Sequence, residues 1–159
     1  PYRHFSDRKD LMGELARRGF ELFGAALASA WDEGRPDPIA ALRRMGAAYQ
    51  DFALREPGLY SAMFGNVQTL DEPGPGEAAD KALATLRTAA EAVLRHHGAP
   101  TEGGRALAMQ IWALSHGVAM LSMAGHLGSR DICEGPGAVM DGAASALFET
   151  AIRRALQPR

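Results

Sequence analysis

The sequence predicts an all-α domain of about six helices. Ala and Leu dominate the composition, aromatic residues make up only 7%, and runs of β-branched residues are absent. This mixture favours helices over strands. Apolar residues recur at helical spacing, and capping residues, prolines and glycines interrupt the pattern between helices. The 159 residues are 47% hydrophobic and 23% charged, as in a single globular domain.

The first two helices have clear start signals. Ser6 is predicted as the N-cap of a helix that runs to about Asp32 and ends before Gly34. Asp37 followed by Pro38 is an N-cap with proline at the first helical position, and this second helix is predicted to reach about Arg55.

The other four helices are separated by breaks rich in glycine and proline. Pro73-Gly74-Pro75-Gly76 predicts a loop over residues 71–77, Gly98 and Pro100 end the fourth helix, and a further loop is predicted over 128–137. The predicted helices are 59–64, 78–97, 101–126 with Thr101 as N-cap, and a sixth that ends near Leu156.

Helices five and six carry more apolar surface than docking on one core requires. Helix five is apolar almost all round from Leu107 to Leu127, which is typical of a central helix or of a subunit contact. Helix six interleaves large apolar residues with small ones that permit close helix approach, namely Gly142, Ala143, Ala144, Ala146 and Ala151. A two-fold contact with a second copy would use such a face, although simple docking on helix five would also explain it.

Aromatic and methionine side chains fall on helices that should face each other. Such side chains with a few polar groups are typical of a small-molecule pocket, and plain core packing is the alternative. Trp112 and His116 are four residues apart and therefore share one helix face. The candidate ligand-binding residues are Phe20, Phe23, Tyr49, Phe52, Tyr60, Met63, Phe64, Met109, Trp112, His116 and Met120.

Signals for a cofactor, a metal or an enzyme are weak. Residues 74–79 formally match a dinucleotide fingerprint but lack the preceding strand. His96 and His97 are adjacent, so they point about 100° apart and cannot form a paired metal site. We therefore expect no cofactor and no metal. Two alternatives stay open: an all-α enzyme that uses His116 as acid and base, and a helical interaction module without a ligand.

Charge and hydropathy restrict the location and the partners. The net charge of −2 argues against non-specific nucleic-acid binding by the whole body, whereas the first eighteen residues hold five basic and three acidic side chains. The single cysteine, Cys133, fits a reducing compartment. No apolar run approaches the roughly 18–20 residues of a membrane span and no signal peptide is visible, so we expect a cytoplasmic protein without a membrane partner.

Two parts of the chain carry a family resemblance. Tyr-x-His-Phe followed by Ser-Asp-x-Lys-x-Leu, over residues 2–11, resembles the exit from the DNA-reading helix of TetR repressors. Trp112-x-x-x-His116-Gly117, with aromatic residues and Met63-Phe64-Gly65 upstream, resembles the TetR-type C-terminal domains named for Trp-His-Gly.

This resemblance implies a ligand-sensing transcriptional repressor. Residues 1–5 would be the remnant of the DNA-recognition helix, and residues 6–159 the ligand-binding and dimerisation domain. Tyr2, His4 and Lys9 would contact phosphates of a DNA operator in the intact protein. A small apolar or aromatic effector between helices one, two, four and five would shift helix one and release the DNA. The last two helices would form a homodimer through Leu114, Leu121, Met140, Ala144, Leu147, Phe148 and Ala151.

Overall fold

Six α-helices are the regular elements in the part of the chain that the computed structural model describes, which is residues 8–65, 73–127 and 135–157. They confirm the predicted all-α fold. Single 3₁₀ turns at Asp32–Gly34 and Thr101–Gly103 precede α2 and α5. The helices are α1 Arg8–Trp31, α2 Pro38–Arg55, α3 Pro57–Phe64, α4 Pro73–His96, α5 Gly104–Met123 and α6 Pro136–Leu156.

The capping signals of α2 and α4 act as the sequence predicts. The Asp37 side chain accepts hydrogen bonds from the backbone N–H groups of Ile39 at 3.0 Å and Ala40 at 2.9 Å. These bonds satisfy two donors that have no partner within the helix. Gly98 ends α4 with a positive φ of 68°, a conformation that glycine adopts without strain. The N-cap predicted at Ser6 lies outside the described residues.

The predicted loop over residues 71–77 is wrong from Pro73 onward, where α4 already begins. The first N–H groups of a helix have no intrahelical acceptor, so prolines in the first turn cost no hydrogen bond. Gly74 also suits this position, because a side chain there would approach Arg17 of α1, whose Cδ lies 3.2 Å from the ideal Cβ position. Residues 66–72 are outside the described part of the chain.

Helix α5 is shorter than predicted at both ends. Thr101–Gly103 forms a 3₁₀ turn, so the α-helix begins at Gly104. At the other end Gly125 adopts a φ of 74°, and the N–H of His126 donates to the Leu121 carbonyl at 2.9 Å. This bond is the one that closes a helix ending at a left-handed glycine.

The core lies between α1, α2, α4 and α5. Helix α1 packs against α2, α3 and α4, while α5 packs against α2, α4 and α6. Helix α1 contributes Ala16, Phe20, Phe23 and Leu27, which recur at helical spacing and are buried. Of the α6 residues described, Met140 alone is fully buried; Leu147, Phe148 and other apolar residues are half-buried, and Leu156 is 54% exposed. Helix α6 is therefore the most weakly embedded of the six helices.

Helix α5 has an inner face and an apolar outer face. Leu107, Ile111 and Val118 are buried in the core. The outer face of α5, defined here as Met109, Ala113, Gly117, Met120 and Leu121, is exposed. Leu121 is 46% exposed and both methionines are 48% exposed.

One segment, Thr101–Met123, is long and apolar enough to cross a membrane by length and composition alone. The prediction that no apolar run approaches the length of a membrane span therefore does not hold for this segment. The segment comprises the 3₁₀ turn and α5, and α5 packs against three other helices of the domain. A core helix of a globular protein can have the same length and composition, and α5 contributes Leu107, Ile111 and Val118 to the core.

Two glycines of α1 are expected to respond oppositely to substitution by alanine. A Cβ at Gly19 would lie 2.7 Å from the Met63 Cγ and 3.3 Å from the Leu59 carbonyl oxygen of α3. Met63 is fully buried, so overpacking should lower the free energy of unfolding by about 1–3 kcal/mol, offset by about 1 kcal/mol of helix propensity. A Cβ at Gly24 makes only an ordinary 3.8 Å contact with Ala82, so Gly24→Ala should stabilise by up to about 1 kcal/mol.

Urea unfolding of the two variants measures this difference. Gly24→Ala is the matched control, since it makes the same chemical change in the interior of the same helix. Equal stabilisation by both substitutions would show that α3 does not pack closely against α1 at Gly19.

Candidate functional site

A cavity of about 440 Å³ lies between α1, α2, α4, α5 and α6. We call it the central cavity. Its volume is in the range of cavities that enclose drug-sized molecules. The larger apolar side chains of its wall are Phe23, Leu27, Ile39, Leu42, Met45, Leu54, Leu83, Leu86, Ile111, Trp112, Met140 and Phe148.

The central cavity opens to solvent between α2 and α6. Arg43, Asp51 and Leu54 of α2 and Asp141 of α6 belong to its wall and are exposed, so they mark the mouth. Asp51 forms an ion pair with Arg55 at 2.9 Å. The charged side chains of the described wall thus lie at the mouth, and the inner wall is apolar apart from a few uncharged polar groups.

Gln50 is the most distinctive polar residue of the inner wall. It is 8% exposed, and its Nε2 donates to the Ser115 carbonyl oxygen on α5 at 3.0 Å. Its Oε1 is buried and has no hydrogen-bond partner. The neighbouring Ser115 hydroxyl donates to the Met140 sulfur at 3.8 Å, which is a weak bond. This amide oxygen is the buried side-chain acceptor that has no partner among the described residues.

An aromatic cluster packs behind the central cavity. Phe23 contacts Tyr49 edge-to-face, with ring centroids 4.9 Å apart, and Tyr60 lies 4.8 Å from Phe64. The His116 ring lies 4.7 Å from that of Phe64. Edge-to-face and tilted arrangements of this kind are the favourable ones for aromatic rings. The cluster consists of Phe20, Phe23, Tyr49, Phe52, Tyr60, Phe64, Trp112 and His116.

A chain of hydrogen bonds runs through the aromatic cluster from the cavity wall to α5. The hydroxyl oxygens of Tyr49 and Tyr60 are 3.1 Å apart, and the Tyr60 hydroxyl lies 2.7 Å from Nδ1 of His116. Burial raises the pKa of Tyr60 to about 12 and raises that of Tyr49 further, so both phenols remain protonated. Burial also lowers the pKa of His116. A neutral imidazole can accept the Tyr60 proton at Nδ1, whereas an imidazolium can only donate there.

Three of the eleven predicted ligand-binding residues lie in the wall of the central cavity. Phe23, Tyr49 and Trp112 lie in its wall, and the other five members of the aromatic cluster lie behind it. Met63 is fully buried beneath Gly19, away from the cavity. Met109 and Met120 lie on the outer face of α5, and their predicted place in a pocket is wrong for this chain, because helix five turns these residues away from the core.

The residues predicted for the dimer interface fall into two groups, one outside the cavity wall and one within it. Leu121 is exposed, while Leu114, Leu147 and Ala151 are half-buried on the two helices concerned. Met140, Ala144 and Phe148 belong to the cavity wall instead. The expectation for Met140 is corrected, since its side chain is 6% exposed and is turned into the core.

Sequence reasoning missed Gln50, Ser115 and the contribution of α6 to the cavity. A signal for Gln50 was present: it follows Gly46 by four positions and Leu42 by eight, so it continues the buried face of α2 as a polar residue. Ser115 has a comparable signal, since it follows Ile111 by four positions and Leu107 by eight. For the contribution of α6 no such signal exists, because it depends on how α6 crosses α5.

The predicted DNA contacts and the single cysteine lie near the start of the described residues or outside them. Lys9 is exposed in the first turn of α1. Tyr2, His4 and Cys133 lie outside the described residues. Within the described ranges, no group of three His, Cys, Asp or Glu side chains could hold a metal ion.

The lowered pKa of His116 predicts a dependence of stability on pH. Because the folded protein holds this imidazole neutral, the unfolded chain binds the proton more tightly. The contribution of His116 to the free energy of unfolding is therefore fully present above the unfolded pKa of about 6.5 and is lost as the pH falls through the lower, folded pKa. We expect His116→Gln to flatten this decrease between about pH 7 and pH 5.

Urea unfolding at several pH values measures the slope. His96→Gln, at an exposed position, is the control for removal of an imidazole. An unchanged slope in His116→Gln would contradict the burial of a neutral imidazole in the chain with Tyr60.

Comparisons with known proteins agree with this architecture. A family model described as the tetracycline repressor-like C-terminal domain matches residues 42–154, from the second turn of α2 into α6. The chain is also similar to a solved protein of unknown function from Rhodococcus sp. RHA1, with a TM-score of 0.76 and 26% sequence identity. That similarity covers 94% of this chain and 76% of the other. No curated protein matches the sequence.

Proposed function

This chain belongs to the family of tetracycline repressor-like C-terminal domains, and we propose that it is the effector-sensing and dimerising part of a TetR-type transcriptional repressor. The observation that carries the proposal is the central cavity, whose mainly apolar wall holds a few uncharged polar groups. A cavity of this size and lining suits a small, mainly apolar molecule. A regulator of transcription acts on DNA, so the proposed site of action is the cytoplasm.

The proposed mechanism is a ligand-dependent shift of α1. Phe23 and Leu27 of α1 form one side of the central cavity, and α2, α4, α5 and α6 form the others. An effector that fits one position of α1 better than another shifts the equilibrium toward that position. In the intact protein, Lys9 in the first turn of α1 would contact the DNA backbone, together with Tyr2 and His4, which precede α1 in the sequence. A movement of α1 would then release the operator.

The outer face of α5 supports a homodimer. It presents Met109, Met120 and Leu121 to solvent around Gly117, and a Cβ at Gly117 would meet nothing within 4 Å. Packing within the described protomer therefore does not require a glycine there, whereas close approach of a second copy would. An isologous contact formed by α5 and α6 of both copies would cover this face and should bury at least about 1,200 Å².

The enzyme alternative has less support from the geometry. His116 does not belong to the wall of the central cavity, and its described contacts are with Tyr60 and Phe64. A general acid or base must reach the proton of its substrate, and the imidazole of His116 is not part of the cavity wall. The family is one of regulatory proteins.

Thermal unfolding in the presence of uncharged apolar and aromatic compounds tests the proposal. A compound at about 100 times its dissociation constant should raise the stability by about 2.7 kcal/mol. The same compound should weaken operator binding by the intact protein. Binding without an effect on DNA would contradict the sensing role, and chemical conversion of the compound would favour the enzyme alternative.

A further inference from the structure

We infer that the effector contains an unbranched aliphatic chain that lies lengthwise along α2 in the central cavity, with its polar end at the mouth. The inference rests on the proposed sensing function. It adds the shape and the chemical class of the ligand, which the volume of the cavity alone does not define.

The central cavity is long in one direction and short across. On α2 its wall residues run from 39 to 54, and on α6 from 137 to 148. At a rise of 1.5 Å per residue, these stretches are about 22 Å and about 16 Å long. The wall residues of α1, α4 and α5 each fall within about one helical turn, at 23–27, 82–86 and 111–115. The cavity therefore extends between α2 and α6, and each of the other three helices borders it over a single turn.

The mouth of the cavity follows the same direction. Four wall residues of α2 recur every three or four positions, so they lie on one face of the helix, and all four are exposed. They are Arg43, Ala47, Asp51 and Leu54. The opening is therefore a slit alongside α2 rather than a hole at one end. A long, flexible ligand can enter such a slit sideways.

Helices α2 and α6 approach each other at Gly46, near the middle of the wall stretch of α2. An ideal Cβ at Gly46 would lie 3.8 Å from Met140 Cγ, which is an ordinary van der Waals contact. Between these two residues there is room for about one methyl group. A ligand that contacts both ends of the wall has to be thin at this point, which a methylene chain is and a fused or cyclic skeleton is not.

The lining of the cavity suits methylene groups. Nine of the twelve larger apolar side chains of the wall are aliphatic or methionine, and methionine adapts its shape to its neighbours. The charged wall residues described, Arg43, Asp51 and Asp141, are exposed at the mouth. A polar group buried without a partner is unfavourable, so the polar end of the chain belongs at the mouth, where water and these side chains solvate it.

Linear alcohols of increasing length test this inference. Dissociation constants of hexan-1-ol, octan-1-ol and decan-1-ol for the native chain are measured by isothermal titration calorimetry. Because each buried methylene group contributes a similar hydrophobic free energy, the affinity should rise about fifteenfold at each step. No gain from octan-1-ol to decan-1-ol would indicate a compact site and overturn the inference.

Cyclodecanol is the control for shape, because it has as many carbon atoms as decan-1-ol and the same hydroxyl group, but in a ring. The dissociation constants are corrected by the octanol–water partition coefficient of each compound, which removes the difference in general hydrophobicity. Decan-1-ol should then bind at least about tenfold more tightly. Equal corrected affinities would overturn the inference, and this comparison uses the native chain alone.

Gly46→Leu tests the position of the chain. A Cβ fits at Gly46, so the fold should persist while the rest of the leucine side chain fills the passage beside Met140. Decan-1-ol should then bind no more tightly than hexan-1-ol. Gly58→Leu makes the same chemical change at an exposed position outside the wall, and it should retain the gain with chain length. A folded Gly46→Leu that retains this gain would contradict the inferred position.

Failure of the inference is distinguishable from failure of the proposed function. If the linear alcohols do not bind while other compounds still raise the melting temperature, the ligand chemistry inferred here is wrong and the sensing function stands. If no compound of the library shifts the melting temperature, the sensing function itself is wrong.

Discussion

Replacing Ala144 with Trp is expected to abolish the effector-induced rise in melting temperature while leaving the fold intact. Ala144 is half-buried on α6 and belongs to the wall of the central cavity. An indole at this position would occupy space between α6 and α2 that a ligand needs. Because the stabilisation comes only from binding to the folded state, a filled cavity should remove the whole of about 2.7 kcal/mol expected at 100 times the dissociation constant.

The matched control is Ala138→Trp. Ala138 lies on the same helix but is exposed and does not belong to the cavity wall. This variant should respond to the effector as the native chain does. An undiminished melting shift in Ala144→Trp, with a normal far-ultraviolet spectrum, would mean that the effector binds elsewhere.

A single charge on the outer face of α5 is expected to convert the proposed dimer to monomer. Leu121 is 46% exposed in the protomer, so Leu121→Glu should leave the protomer fold undisturbed. In a two-fold contact both copies carry the substitution, so the interface would contain two new carboxylates. Each would be buried without a partner. A loss of even about 2.8 kcal/mol would weaken dimerisation by about a hundredfold.

Leu22→Glu is the control. Leu22 is 45% exposed on α1, so this substitution makes the same chemical change on another helix. Light scattering at micromolar concentration should show a dimer for the native chain and for Leu22→Glu, and a monomer for Leu121→Glu. A native chain that is already monomeric at this concentration, or a dimeric Leu121→Glu, would contradict an interface on this face.

The ends of a helix could be predicted where residues within one turn determine them. The Asp37-Pro38 start of α2 and the glycine stop at Gly98 act through bonds within one turn, so the sequence is enough to locate them. Pro73 and Pro75 misled the prediction because proline breaks a helix interior but is tolerated in a first turn. Which of these applies depends on where the helix begins, and that depends on its packing against α1.

The candidate site was predictable in composition but not in geometry. The sequence identifies the aromatic residues that form the cluster, because their types and helical spacing are visible. It does not show which of them face the cavity, since that depends on the angles at which the helices cross. Met109 and Met120 were assigned to the wrong side for a specific reason: helix five is apolar almost all round, so its periodicity does not distinguish the inner face from the outer one.

Helix α6 forms one wall of the central cavity and, in the proposed dimer, part of the contact between copies, yet Met140 is its one fully buried residue among those described. A helix so weakly embedded takes much of its order from what binds on either side of it. Ligand occupancy and dimerisation would then be linked equilibria. By thermodynamic reciprocity, an effector that tightens the dimer by a given factor binds the dimer more tightly than the monomer by that same factor. The apparent effector affinity of this domain would therefore depend on protein concentration.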